Sequence, residues 1–180
     1  MMRACGGCTL CCKLLPVKGV QKPANQRCPH QRTGKGCAVY KKPGAFPGEC
    51  SLWTCRWLIN DDADDLARPD RSHYVIDVIP DAIAITNNET GAVIDVAVFQ
   101  VWCDPGYPMA YRDPALRAWL EHKKMPALVR LSDTGVAAVL FPASWSSDGQ
   151  WHEKSDQINM GGQGQDMGRV ARALEADARV

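Results

Sequence analysis

Hydrophobic and polar residues follow a regular pattern only in the second part of the chain. Apolar, β-branched residues recur over 75–85 and again over 92–102, which predicts two strands joined by a turn at 87–91. Two further apolar runs, 127–131 and 136–141, flank the sequence Ser-Asp-Thr-Gly, which is typical of a hairpin turn. The pattern therefore predicts two β-hairpins.

A helix is predicted between the two hairpins. Asp113 is suited to the N-cap and Pro114 to the first helical position, because the cap needs a side-chain acceptor and the first turn needs no proline N–H. Pro126 ends the helix, and its apolar stripe consists of Leu116, Trp119 and Leu120. The order β-hairpin, helix, β-hairpin predicts an α+β fold in which one helix covers a small antiparallel sheet.

The first 60 residues differ from this pattern. They are poor in large aliphatic residues and rich in Gly, Pro, Lys and Cys, with little hydrophobic periodicity. A segment of this composition buries too little apolar surface to fold alone, so it needs cross-links. Within it, Ser51–Ile59 is predicted to form one short helix that is capped by Ser51 and carries Cys55.

These changes in composition divide the chain into three parts. Residues 1–60 form a cysteine-rich, metal-stapled module, which the acidic stretch 61–69 connects to an α+β domain at 70–155 that packs on it. The last part, 161–180, begins as a Gly-rich flexible linker, after which Asp166 is suited to cap a C-terminal helix.

Eight of the nine cysteines lie within the first 55 residues. The chain has neither the run of about 18 apolar residues that a membrane helix needs nor an apolar secretion signal, so we expect a cytoplasmic protein without a membrane partner. Thiols are kept reduced in that compartment, and clustered cysteines there indicate metal ligands rather than disulfides. The predicted ligands are Cys5, Cys8, Cys11, Cys12, Cys28, Cys37, Cys50 and Cys55.

The spacing of these cysteines bears on the number of metals. Two residues between cysteines allow both sulfurs to reach one ion, whereas the side chains of adjacent Cys11 and Cys12 diverge. Eight thiolates therefore fit one or two zinc sites, or a [4Fe–4S] cluster with or without one Zn²⁺. CxxCxxC at 5–11 with the remote pair Cys28-Pro29 is similar to half of a ferredoxin pattern. Zinc is favoured because it is the usual structural metal of small modules with little core.

The order of the cysteines resembles that of the bacterial CxxCxxCC family of zinc- or iron-chelating domains. The matching positions are CxxCxxCC at 5–12, Cys28 and Cys37 followed by Tyr40, Pro47-Gly-Glu-Cys50, and Cys55-Arg56-Trp57. Phe46 stands where the family has Arg. The resemblance covers about the first 60 residues and implies metal chelation, structural or metal-handling in role. A flagellin lysine N-methylase is similar in carrying such a cluster, which leaves open an iron–sulfur redox protein or an accessory to a modifying enzyme.

Basic residues are concentrated in the same segment. Residues 1–50 carry nine Lys or Arg but a single acidic residue, Glu49, although the net charge of the whole chain is only +1. We favour compensation of the negative charge of metal–thiolate sites over a zinc-module nucleic-acid binder, because no aromatic residues alternate with these cations. His30 and Cys103 are not predicted ligands, since eight cysteines suffice. No nucleophile–base pair or phosphate-binding loop is found, so the sequence favours a metal-binding protein over an enzyme.

Overall fold

The chain has the mixed α+β architecture that its pattern predicts, with a mostly antiparallel sheet and few helices. A computed structural model describes residues 3–59, 63, 65–86, 90–133 and 135–155, and the backbone of two short strands at 158–160 and 171–173. Within these ranges, no helix has the length and apolar character needed to cross a bilayer.

The sheet is built around one long strand, β5 (Val93–Cys103). The other strands are β3 (Tyr74–Ile76), β4 (Asp81–Thr86), β6 (Ala127–Arg130), β7 (Val136–Phe141), β8 (His152–Lys154), β9 (Ile158–Met160) and β10 (Ala171–Ala173). Strands β3 and β4 both pair with β5 antiparallel, β3 with its C-terminal end and β4 with its N-terminal half. Strand β6 also pairs with β5, and the sheet continues from β6 through β7 to β8, and from β4 through β10 to β9.

The predicted covering helix is α5 (Pro114–Lys123). It begins as expected, because the carboxylate of Asp113 accepts the N–H of Ala115 at 3.0 Å. Its predicted apolar stripe is buried against the sheet, where the rings of Phe99 and Trp119 lie 4.7 Å apart. The chain returns through α5 to a point beside Phe99 of β5, where β6 begins. β5 and β6 therefore pair in parallel, and in this pair the predicted antiparallel arrangement is wrong.

The two faces of the sheet have different coverings. Side chains alternate along a strand, so Tyr74 and Ile76 face α5 whereas Val75 faces the opposite side. Val75 and Trp102 are covered there by side chains of the cysteine-rich segment (residues 3–59), which form one buried cluster with them. We call this cluster the junction core; it consists of Leu10, Leu14, Cys55, Val75 and Trp102.

The cysteine-rich segment contains only short elements. They are α1 (Leu10–Leu14), β1 (Gln31–Arg32), β2 (Gly36–Cys37), α2 (Gly48–Leu52) and α3 (Arg56–Ile59), and α4 (Pro69–Ser72) follows. The predicted single helix Ser51–Ile59 is wrong, since Cys55 lies between α2 and α3 in a β-bridge with Asp77. The indole of Trp53 also donates to the carboxylate of Asp77 at 2.7 Å. These two contacts hold the chain extended where local propensity favours helix.

Several predictions fall on other parts of the chain. The described residues exclude residue 60, residues 61, 62 and 64 of the acidic connection, residues 87–89 of the first hairpin turn and residue 134 of the second. Ala63 is buried in the core beneath α5. Most of the predicted C-terminal linker and helix also lies outside them. Where that helix was expected, Ala171–Ala173 forms a strand that pairs with β4 and β9.

Candidate metal centre

Four of the predicted ligands line one small cavity beside the sheet. Its apolar walls are formed by Trp57, Leu58, Pro69 and Val75. Its thiols belong to Cys5, Cys8, Cys11 and Cys55, and we call these four cysteines the first group. Cys8 and Cys11 pack against the junction core, of which Cys55 is itself a member. The sequence pattern suggested Cys28 as the remote ligand beside CxxCxxC, but in the structure Cys55 has that position.

A tight turn brings the first two thiols of this group together. The N–H of Cys8 donates to the carbonyl of Cys5 at 2.9 Å, and Gly6 adopts a φ of 51°, which favours glycine. A Cβ on Gly7 would lie only 2.5 Å from the carbonyl oxygen of Gly34, in the loop between β1 and β2. The second glycine is therefore needed because another part of the backbone packs directly against the turn.

The other four predicted ligands, Cys12, Cys28, Cys37 and Cys50, form a second group. The N–H of Cys28 donates to the carbonyl of Cys12 at 3.2 Å, which brings the loop after α1 back to the helix. Burial raises the pKa of Cys50 to about 11, and the neighbouring thiols of Cys12, Cys28 and Cys37 contribute to this increase. These interactions place all four thiols in one neighbourhood.

The two groups adjoin at Cys11 and Cys12. A hydrogen bond between these thiols, together with burial, raises the pKa of Cys11, and the same hydrogen bond lowers the pKa of Cys12 to about 7. The positive charge of Lys22 also lowers the pKa of Cys12. Lys22 is only 5% exposed, and its ammonium group donates to the carbonyls of Lys13 and Pro23 at 3.1 and 3.0 Å.

A second cation, Arg68, lies beside the first group. A Cβ added to Gly6 would lie 3.5 Å from the guanidinium of Arg68. That guanidinium forms an ion pair with the carboxylate of Asp70, with 2.6 Å between nitrogen and oxygen. Burial raises the pKa of Cys5 and Cys8, and the charge of Arg68 opposes that increase. Arg68 and Lys22 could not be identified from the sequence, because no local signal distinguishes them from the other basic residues.

The thiol side chains do not form a closed coordination site as they stand. All nine cysteines are free thiols, and within the part of the chain that the structure describes, no three Cys, His, Asp or Glu side chains are close enough to hold an ion. Cys103 lies apart from both groups, in the core beneath α5, where burial raises its pKa to about 12. The structure thus places four thiols around one cavity and the thiols of Cys12, Cys28 and Cys37 near Cys50. Cys12 also raises the pKa of Cys5, and Cys103 lies apart.

No family model, curated protein or solved structure matches this chain. The resemblance to the CxxCxxCC family therefore depends on the order of the eight cysteines and stays a prediction.

Proposed function

We propose that this protein is a metal-binding protein, in which the first and second groups each bind one metal ion as a tetrahedral Cys₄ site. Zinc is the favoured metal, because four thiolates in a small module are a typical zinc site. The observation that supports this most strongly is the division of the eight cysteines into two groups of four. Adjacent Cys11 and Cys12 fall into different groups, Cys11 on the cavity and Cys12 beside Cys50, and they lie where the two groups adjoin.

The thiols must change position to complete such sites. A cysteine sulfur changes position by rotation about a single bond, χ1, and a dication supplies the attraction that gathers mutually repelling thiolates. Burial raises the pKa of Cys55 to about 12, so without metal its thiol keeps its proton at neutral pH. The ion would displace that proton, as metal binding by cysteine commonly does.

The alternative metal is a [4Fe–4S] cluster at the first group. CxxCxxC followed by Cys55 supplies four thiolates, and the apolar walls formed by Trp57, Leu58 and Val75 would exclude water from it. In this arrangement the second group would still bind one Zn²⁺. The protein would then be an iron–sulfur redox protein or an accessory to a modifying enzyme.

Metal analysis of anaerobically purified protein, prepared without chelators, tests this proposal. We expect about two equivalents of zinc per chain, or iron with acid-labile sulfide plus about one zinc. Broad visible absorption distinguishes the second result from the first. Less than about 0.2 equivalents of zinc plus iron would contradict the proposal, since structural sites bind tightly enough to survive purification.

A second candidate function, nucleic-acid binding, is supported by a set of exposed cations. Residues 27–42 contain no acidic residue, and the ring of Tyr40 among them is 52% exposed. The exposed cations are Arg27, Arg32, Lys35, Lys41 and Lys42. Fluorescence anisotropy with labelled single-stranded RNA would test this function, because binding through phosphates must weaken steeply with salt. Charge reversal at Lys41 and Lys42 should then reduce the slope of log K against log salt by about two.

A further inference from the structure

We propose that the second group is an exchangeable metal site, at which a thiophilic dication such as Zn²⁺ is taken up and released, while the first group retains its ion. This inference rests on the proposed function, since it assigns different roles to the two proposed sites. It depends on what surrounds each group rather than on the ligands, which are four cysteines in both cases.

The first group is integrated into the folded core. Cys55 is 7% exposed and belongs to the junction core, together with Val75 and Trp102 of the sheet. Its backbone pairs with Asp77, whose carboxylate also accepts the indole N–H of Trp53. Cys5, Cys8 and Cys11 are half-buried, but release of the first ion from Cys55 would require separation of this core from the sheet, which is a large part of global unfolding.

The second group is carried by a segment with almost no core of its own. Three of its four ligands lie in the loop segment, residues 16–52, in which the only buried residues are Val17, Lys22 and Gly36. Ala24 is the one residue of this segment that packs against the junction core. Its hairpin consists of two strands of two residues each, which is too short to be stable alone.

Part-buried hydrogen bonds, together with the packing of Gly34 against the Cys5–Cys8 turn, connect the loop segment to the rest of the protein. Asn25 donates from its side-chain amide to the carbonyl of Leu131 at 2.6 Å, and the amide of Gln31 donates to the hydroxyl of Thr9 at 2.8 Å. Such bonds can be replaced by bonds to water when the segment opens. The loop segment can therefore open locally while the junction core stays intact.

Exchange at the second group needs no redox chemistry. An incoming thiolate or chelator forms a bond to the ion as a cysteine thiolate leaves, and each released thiolate takes up one proton from water. The ion keeps its charge throughout. Successive replacements of this kind require access to the ligands one at a time, which local opening of the loop segment provides.

The experiment uses full-length protein loaded with two equivalents of zinc, and adds an excess of an enriched zinc isotope. Native mass spectrometry then counts the ions that have exchanged. We expect one ion to exchange at least about tenfold faster than the other, as sub-global opening is more frequent than global unfolding. In the Cys37→Ser variant the fast phase should be lost and the slow phase kept, whereas Cys8→Ser should affect the slow phase.

Hydrogen exchange of the wild-type protein gives a second measurement that does not depend on how well the variants fold. After removal of one equivalent of zinc by a chelator, protection should be lost in residues 16–52 and kept in α1 and β3. Equal exchange rates for the two ions, or loss of protection in all three places, would overturn the inference and leave the proposed function intact. A single bound ion per chain would overturn the inference and also the two-site form of the proposed function, whereas failure to bind any metal would overturn both proposals entirely.

Discussion

Replacement of Cys55 by alanine should release metal, whereas replacement of Cys103 by alanine should not. The two cysteines are well matched, being 7% and 1% exposed, and burial raises the pKa of both to about 12. They differ in their neighbours, since Cys55 lines a cavity with three other cysteines and Cys103 packs beneath α5. Any difference between the two variants therefore reports on the first group rather than on burial.

The size of the difference follows from what each change removes. Both substitutions delete one sulfur atom from a packed site, which costs about 1 kcal/mol by analogy with the loss of one methylene group. Cys55→Ala also removes one of four proposed ligands from a site whose metal contributes about 10–16 kcal/mol to folding. Loss of even a quarter of that contribution adds about 2.5–4 kcal/mol. We therefore expect Cys55→Ala to destabilise the protein several times more than Cys103→Ala.

Two measurements on the same preparations test this expectation. Elemental analysis after desalting should find the first ion missing from Cys55→Ala and full metal content in Cys103→Ala. Urea unfolding followed by tryptophan fluorescence should show the difference in stability, since Trp57 lines the cavity and Trp102 lies in the junction core. With excess EDTA present, the two variants should become equally stable to within about 1 kcal/mol. Equal metal loss in both variants, or full metal retention in Cys55→Ala, would refute the reasoning.

Three further predictions concern the turn, the thiols and the sheet. Gly7→Ala should lower the stability of the protein by about 1–3 kcal/mol and should also lower its metal content, because the new Cβ would lie 2.5 Å from backbone. Gly48→Ala is the control: its Cβ enters open space, so stability and metal content should not change. Metal-free protein should lose stability as the pH rises above about 9, because the folded-state pKa of Cys55, about 12, exceeds the ordinary value of 9.0. Each thiol of this kind should contribute a loss of about 1.4 kcal/mol per pH unit. Thermal melts at pH 7–11 with EDTA would show this loss, and a flat profile would contradict it. Arg130→Met should destabilise the fold by about 3–5 kcal/mol, because it removes the ion-pair partner of the Asp81 carboxylate, which is only 1% exposed. The metal content, measured by elemental analysis, should stay unchanged.

Those elements that depend on neighbouring residues could be predicted from the sequence. The start of α5 follows from Asp113 and Pro114, and the hairpin of β6 and β7 follows from the turn sequence between them. In each case the side chain or turn that fixes the element lies within a few residues of it. Local signals of this kind need no knowledge of the rest of the fold.

The features that could not be predicted depend on distant contacts. The parallel pairing of β5 and β6 is set by where α5 packs, and the break between α2 and α3 is set by Asp77, which lies well beyond the helix that was expected. Composition predicted that the domain at 70–155 packs on residues 1–60, but not through which residues. Leu10 and Leu14 pack with Trp102, and an ion pair of 2.6 Å joins Lys13 to Asp104.

The distribution of the ligands along the chain connects the two proposed sites physically. The first group includes Cys11 and Cys55, and all four ligands of the second group lie between these two positions in the sequence. An ion at the first group would therefore close residues 12–54 into a loop. Loop closure reduces the number of open conformations, so the second group would be assembled at a smaller entropic cost. By linkage, we expect the affinity of each proposed site to rise when the other is filled, with the chain between the groups carrying this coupling.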